Sequence, residues 1–337
     1  MVADHNEVEG QLYNHTNQLL RAHETLLSDG NRNRSFYRAL KKTVTKTSSV
    51  LDIGSGTGVW AVAAAKLGAR RVVAVEEEPL LIGLIKQIAR DNGVASKVEV
   101  VQGDSRQIQL GKEFDIVISE TIGHLVFDEP IVPIMIDARK RFLKSGGILI
   151  PGAVALVAAG AHLNIGRQTL PASVPIDQSG FQSLSLNSPM ALQNRAQLRI
   201  RTDPQKLIAV DLMQIEAPPD LDNLAARWQN LDARKINCFA VWAEATLAPR
   251  VNVIARHTTS WLPMVYRVKP FSGKRGDIEF RLSLSSKTNY WTATLTSDGA
   301  EEVQSFSPAF AAAELLARTR TDHDVFSHAK RIGISNI

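Results

Sequence analysis

Val50-Leu-Asp-Ile-Gly-Ser-Gly-Thr-Gly58 is where the chain declares its fold. An apolar strand, Ser48 to Ile53, runs into three closely spaced glycines and then into an Ala-rich helix, Val59 to Leu67. Gly54, Gly56 and Gly58 let the backbone turn tightly and approach a ligand closely. The spacing is Gly-x-Gly-x-Gly, so the third glycine comes one residue too early for the dinucleotide fingerprint. Asp52 at the strand end also sits badly beside a pyrophosphate, because two anions would meet at one helix N-terminus. A sulfonium amino acid carrying its own ammonium suits that aspartate better.

Working outward, short apolar runs alternate with helical segments. Arg71 to Glu76, Val98 to Val101, Phe114 to Ser119 and Gly147 to Ile150 read as further strands, and this alternation means crossover units and a parallel sheet. Glu76 closes the second strand about twenty residues after the glycines, where an acid accepts hydrogen bonds from both ribose hydroxyls. Asp104, with Ser105 beside it, follows the third strand and is placed to meet an adenine amino group. Taken singly, the glycines are a plain strand-to-helix turn, and Glu76 is a surface acid next to Glu77 and Glu78. In this order they predict an S-adenosylmethionine site, with a nicotinamide or flavin site as the alternative. The fourth strand ends at Glu120, at the carboxyl edge where open α/β sheets bind ligands. Glu129 follows nine positions later across Gly123 and an apolar turn. That hairpin-like loop can aim both carboxylates into one pocket, although Glu129 would also suit the start of a helix near Pro130.

Here the sequence resembles the protein arginine methyltransferases, as a divergent member of bacterial type. Their double-glutamate loop has the pattern Ser-Glu-x-x-Gly-x-x-x-x-x-Glu, matched by Ser119 to Glu129, and Val50 to Gly58 and Ala63 to Glu76 are similar to their first motifs. Upstream, His23-Glu24-x-Leu26-x-x-Asp29-x-x-Arg32 is similar to the helical motif whose His and Arg hold the cofactor, the Arg on its carboxylate. Thr259-Ser-Trp261 falls at the family's Thr-His-Trp loop. The resemblance implies catalysis by Glu120 and Glu129, cofactor binding by His23, Arg32, Asp52, the three glycines, Glu76, Asp104 and Ser105, and a substrate pocket with Leu26, Ser260 and Trp261. It further implies a head-to-tail homodimer. The His that would pair with Asp29 is Ser260, so that pair is expected to be missing. Thr121 and Ile122 replace Trp-Met after the first Glu, and Asn14 and Asn17 replace aromatic residues. Trp261 is equally readable as core packing.

The expected class is α/β: N-terminal helices over the cofactor at 1–47, a Rossmann-like cofactor domain at 48–151, an antiparallel β-barrel-like domain at 152–308, and a helical extension at 309–337. An arm-like insertion is expected at about 164–199. Leu221 to Asn230 reads as a helix. The leading activity is arginine N-methylation in a protein or peptide; the alternatives are a free guanidino compound or amine as substrate, and a cofactor-binding scaffold without turnover.

Composition sets the outer bounds. Of 337 residues 44% are hydrophobic and 22% charged, enough to bury a core. Cys238 is the single cysteine, which excludes an internal disulfide and a cysteine-based zinc site and favours a reducing, cytoplasmic setting. Met1 to Gly10 lacks a secretory pattern. Gly147 to Leu163 is broken by Pro151 and carries His162, against a membrane span. The net charge of +5 contains no basic run of five, so an ordinary solvated surface is expected, without nucleic-acid or membrane partners. No metal is expected, because no His/Asp/Cys cluster is apparent.

Overall fold

The computed structural model describes residues 5–164, 174, 176–285 and 288–318. Two helices, α1 (His5–Ser28) and α2 (Gly30–Thr43), precede an alternating unit. It comprises β1 (Ser49–Ile53), α3 (Val59–Lys66), β2 (Arg71–Glu76), α4 (Pro79–Asp91), β3 (Val98–Gln102), β4 (Phe114–Ser119), α5 (Ile131–Arg141) and β5 (Leu143–Ile150). The strands form one sheet in the order β3-β2-β1-β4-β5, every neighbouring pair parallel. β1 and β2 are buried almost throughout, which is why they read as continuous apolar runs and not as alternating ones. Chain order reverses between β1 and β4. The carboxyl ends of these two strands, Ile53 and Ser119, are aligned partners and open the crevice where such sheets take ligands.

The rest of the described chain is mostly antiparallel: β6 (Ala153–Leu163), α6 (Ser179–Ser185), β7 (Met190–Ala191), β8 (Leu198–Ile200), β9 (Gln205–Asp211), β10 (Leu224–Asp232), β11 (Cys238–Ala248), β12 (Val251–Ile254), β13 (Met264–Arg267), β14 (Arg275–Ser285), β15 (Thr288–Ser297), β16 (Ala300–Phe306) and α7 (Pro308–Arg318). One sheet runs β10-β14-β15-β16, and a second runs β7-β13-β11-β6-β8 with β9 and β12 as side branches. The two face each other through aromatic residues. Phe239 of β11 stacks on Phe280 of β14 with centroids 4.5 Å apart, and Tyr266 of β13 meets Trp291 of β15 at 5.1 Å.

The segment expected as a helix at Leu221 to Asn230 is instead strand β10, paired antiparallel with β14. Its Leu224, Ala226 and Trp228 are buried while Arg227 is exposed, and this period of two on a half-buried surface overrides the helix propensity of the two alanines. β13 begins only at Met264, and Trp261 belongs to the loop before it. The expected C-terminal extension is helical to Arg318, and 319–337 lie outside the described residues, as does part of the arm-like insertion at 165–173 and 175. Among the described residues no helix is long and apolar enough to cross a membrane.

Candidate functional site

The glycine loop is built from the strands beneath it. Gly54 and Ser55 both donate their N–H to Val75 O at 3.0 Å, tying the end of β1 to β2. Gly54, Gly56 and Gly58 all have positive φ, which a side chain resists. A Cβ on Gly56 would lie 2.7 Å from the His23 ring, and one on Gly54 would lie 2.8 Å from Thr121. His23 of α1 therefore rests directly on the loop. Its pKa is lowered, mainly by burial and further by Arg32, against the opposing pull of Glu76.

Asp52 is fully buried, and its Oδ2 accepts the N–H of Ala61 in the first turn of α3 at 2.9 Å. It thus supports the helix start from below, while Oδ1 is buried with no hydrogen-bond partner. Burial chiefly, with Glu76 and Glu120 adding, pushes its pKa to about 7. Glu76 accepts Gly56 N–H at 2.6 Å and Glu78 N–H at 2.9 Å, bridging the glycine loop and the turn into α4. Asp104 is not drawn into this group: both its oxygens engage Arg106. Neighbouring Ser105 is buried, and its carbonyl accepts from Arg141 at 2.6 Å.

Glu120 sits at the end of β4, 9% exposed, with Arg32 Nη1 3.2 Å from its Oε2 and Trp261 Nε1 donating to its Oε1 at 2.9 Å. Burial dominates and raises its pKa to about 7; Arg32 and Trp261 oppose the shift, while Glu129 and Asp29 reinforce it. Arg32 is 2% exposed, and its Nη1, though close to Glu120, has no aligned hydrogen bond. The loop from Glu120 to Glu129 does fold as a hairpin, with Gly123 bridged to Val126 and Asp128 accepting Leu125 N–H at 3.0 Å. A Cβ on Gly123 would fall 2.1 Å from the Asp128 carboxylate and push it aside. Val126 is held at φ +67°, a conformation costly for a β-branched residue and of the kind that persists where surrounding structure enforces it. Glu129 is exposed to solvent, yet the protein around it still desolvates it, and with Asp128 this raises its pKa.

No histidine among the described residues reaches Asp29, and Ser260 takes the place of the missing His–Asp pair. Ser260 Oγ donates to Asp29 Oδ2 at 2.7 Å, joined there by the N–H groups of Ser260 and Thr259, while Asp29 Oδ1 caps α2 through Arg32 N–H. Burial alone would raise this carboxyl, but these hydrogen bonds outweigh it and hold its pKa below the ordinary value. The 258–262 loop is fastened to the glutamate hairpin twice, by Trp261 on Glu120 and by Leu262 N–H on His124 Nδ1 at 3.1 Å. Trp261 is also core, its ring edge-on to Phe36, which stacks on Trp60. The core-packing reading of Trp261 holds, and the same residue also donates to Glu120. Leu26 is half-buried on α1. A residue the sequence did not flag is Arg195, discussed below.

These residues fit S-adenosylmethionine. The backbone cradle has no room for Cβ atoms, and two buried polar atoms of opposite sign, Arg32 Nη1 and Asp52 Oδ1, await the two ends of an amino acid. No group of three or more His, Cys, Asp or Glu among the described residues could hold a metal.

The family model of Ribosomal protein L11 methyltransferase (PrmA) matches residues 35–154. Arginine N(omega)-methyltransferase of Streptomyces achromogenes subsp. streptozoticus is 28% identical over 287 residues, 80% of this chain and 77% of its own length. Probable protein arginine N-methyltransferase 6 of Arabidopsis thaliana is 24% identical over 262 residues, 73% of this chain and 59% of its own length. Among solved structures, the PRMT1 enzyme-prozyme heterotetrameric complex with AdoHcy of Trypanosoma brucei superposes with a TM-score of 0.70 at 22% identity, covering 84% of this chain and 96% of that one. Fold and cofactor cradle together define an S-adenosylmethionine-dependent methyltransferase of the Rossmann-like class with an appended antiparallel β-region. Within that class, the chain's relatives by sequence and by fold are arginine N-methyltransferases.

Proposed function

We propose that the chain methylates a terminal guanidino nitrogen of arginine, in a protein or peptide. Glu120 carries the reading: a buried carboxylate at the end of a parallel strand, fixed by Trp261, facing Arg32, with Glu129 acting on its charge. A guanidinium stays protonated below a pKa of roughly 12, so it must be met by acids and not by a base. Glu120 and Glu129 bind it through paired hydrogen bonds, draw its positive charge toward the nitrogens they touch, and leave the remaining terminal nitrogen free to attack. S-adenosylmethionine, when bound, supplies an electrophilic methyl group on a sulfonium. Arg32 and Asp52 would hold its amino-acid end under His23, Glu76 its ribose, and Asp104 and Ser105 its adenine, with Asp104 sharing itself with Arg106. The proton released at nitrogen passes to Glu129 or to water.

Methylation of free arginine is the second reading. It is favoured by the Streptomyces relative, whose name is arginine and not protein arginine methyltransferase, and by Asn14, Asn17, Thr121 and Ile122, which replace the side chains expected around the slot for a protein arginine. The homodimer belongs to the same proposal. It is supported by exposed Leu20, Leu27 and Tyr37 on α1 and α2 beside a hollow of about 340 Å³ lined by Leu27, Tyr37, Val59 and Ile88. The test is labelled-methyl transfer to free arginine and to Arg-Gly peptides, followed by mass analysis. Methylation of a non-guanidine amine with neither of these accepted would end the arginine assignment.

A further inference from the structure

Arg195 lies in a short 3-10 turn, Arg195–Gln197, whose cap is Asn194. The chain reaches it directly from β7, which is fastened beside the catalytic loop: Met190 and Ala191 pair with Val265 and Met264, and Leu192 donates its N–H to Pro263 O at 2.9 Å. Two residues separate Leu192 from Arg195, and two separate Pro263 from Ser260. Arg195 is half-buried, and its Nε is buried with no hydrogen-bond partner. Among the described residues it makes no ion pair. Desolvation lowers its pKa, and the acid that acts on it in the opposite direction is Asp29. That carboxylate is already engaged by Ser260, Thr259 and Arg32, and its charge also reaches Glu120. A partly desolvated guanidinium, without an ion pair among the described residues, therefore stands within electrostatic reach of Asp29, the carboxylate that braces the loop carrying Trp261. Such a charge is costly unless something anionic meets it, and Arg is the side chain best shaped to take a carboxylate through two parallel hydrogen bonds.

We infer that Arg195 is a specificity residue that binds the α-carboxylate of a small guanidino acid, free arginine or a close analogue, whose guanidinium sits between Glu120 and Glu129. This deepens the second reading, methylation of free arginine, and rests on it. In an extended arginine the carboxylate lies roughly 6 to 7 Å beyond the guanidinium carbon, so one substrate molecule presents the cationic end to the glutamates and the anionic end to Arg195. An internal arginine of a peptide has no carboxylate to offer and gains nothing from this residue.

The test compares wild type, Arg195→Gln and Arg195→Lys on three substrates: free L-arginine, its decarboxylated amine analogue, and an Arg-Gly peptide with blocked ends. S-adenosylhomocysteine titration by calorimetry establishes that each variant keeps its cofactor site. For free arginine, KM is expected to rise at least tenfold in Arg195→Gln with kcat within threefold, and Arg195→Lys is expected to recover part of the loss. The decarboxylated analogue should be a poorer substrate of wild type than arginine and should be indifferent to the substitution. Equal KM for arginine in wild type and Arg195→Gln overturns the inference, as does a parallel rise for all three substrates, which marks a structural role. Wild-type turnover of the peptide but not of free arginine overturns the inference while leaving arginine methylation standing; turnover of none of the three overturns both.

Discussion

Replacing Glu120 by Gln keeps the shape of the side chain, and its amide oxygen can still accept from Trp261 Nε1, the bond that measures 2.9 Å to the carboxylate. What disappears is the negative charge, at a position 9% exposed and opposite an arginine 2% exposed. Removing one partner of a buried charge pair costs about 3 to 5 kcal/mol. Applied to the substrate guanidinium, that is roughly two to four decades in kcat/KM. Cofactor affinity should move the other way or not at all, because Arg32, released from Glu120, is freer to meet the carboxylate of the cofactor. The pH profile supplies a second readout. Glu120 has its pKa raised to about 7 in the free protein, and only its ionised form can hold a guanidinium, so wild-type kcat/KM should fall as pH drops below about 7 and level off above it. In Glu120→Gln this step should be absent. Initial rates of labelled-methyl transfer from pH 6 to 9, with calorimetry of S-adenosylhomocysteine binding, measure all three quantities. A variant that keeps more than a tenth of the wild-type rate refutes the clamp, and so does one whose cofactor affinity collapses together with its rate.

Glu76→Ala removes the acceptor of Gly56 and Glu78 N–H and of two expected ribose hydroxyls, each bond to a charged group contributing about 1.5 to 3 kcal/mol; S-adenosylhomocysteine affinity should fall more than tenfold by calorimetry, and unchanged affinity removes Glu76 from the site. Trp261→Phe keeps the packing on Phe36 but deletes the hydrogen bond that favours ionised Glu120, so the rise of kcat/KM with pH should move upward by about one to two units; an unmoved profile separates Trp261 from the clamp. Ser260→Ala removes one hydrogen bond from Asp29, about 1.5 to 3 kcal/mol, and should lower the melting temperature by on the order of 5 °C at pH 7. Because the folded-state pKa of Asp29 is depressed, that stabilisation is present above its unfolded value of about 4 and is lost as pH falls through the folded value. The gap between the two melting curves should therefore close in acid, and a gap that persists there would place the effect elsewhere than on Asp29.

What was legible in the sequence had local signals. The glycine loop needs positive φ at Gly54, Gly56 and Gly58, and Glu76 and Glu120 fall at the ends of apolar strand runs, so each is marked by residues within a few positions of it. β10 was misread because Ala225 and Ala226 favour a helix in isolation, and what makes a strand of them is the pairing of Ala225 with Arg281 and of Ala226 with Phe280, more than fifty residues away. The departure of Asp104 toward Arg106 follows from a neighbour two positions on. Asp29 and Ser260 are 231 residues apart, and no periodicity reports that a serine can occupy the place of a histidine and still reach the same carboxylate. Arg195 carries no motif at all. Its interest lies in a missing partner, a property of the folded molecule and not of the spacing.

The exchange at position 260 changes what the Asp29 link can do. A histidine there would titrate and could pass a proton at neutral pH; a serine hydroxyl can donate to Asp29 but takes up no proton in that range. The link in this chain is consequently a brace. Asp29 holds the N-terminus of α2 with one oxygen and the 258–262 loop with the other, and the same two elements deliver Arg32 and Trp261 to opposite oxygens of Glu120. One carboxylate thereby fixes the geometry of another without sharing its chemistry. Titration in the clamp itself then rests on Glu120 and Glu129, both raised by desolvation. The arriving guanidinium reverses that penalty, since it brings to each acid the counter-charge that burial has made costly to lack. Substrate binding and ionisation of the clamp are in this way one coupled event, and proton release on binding should grow as the buffer pH is lowered from 8 toward 7.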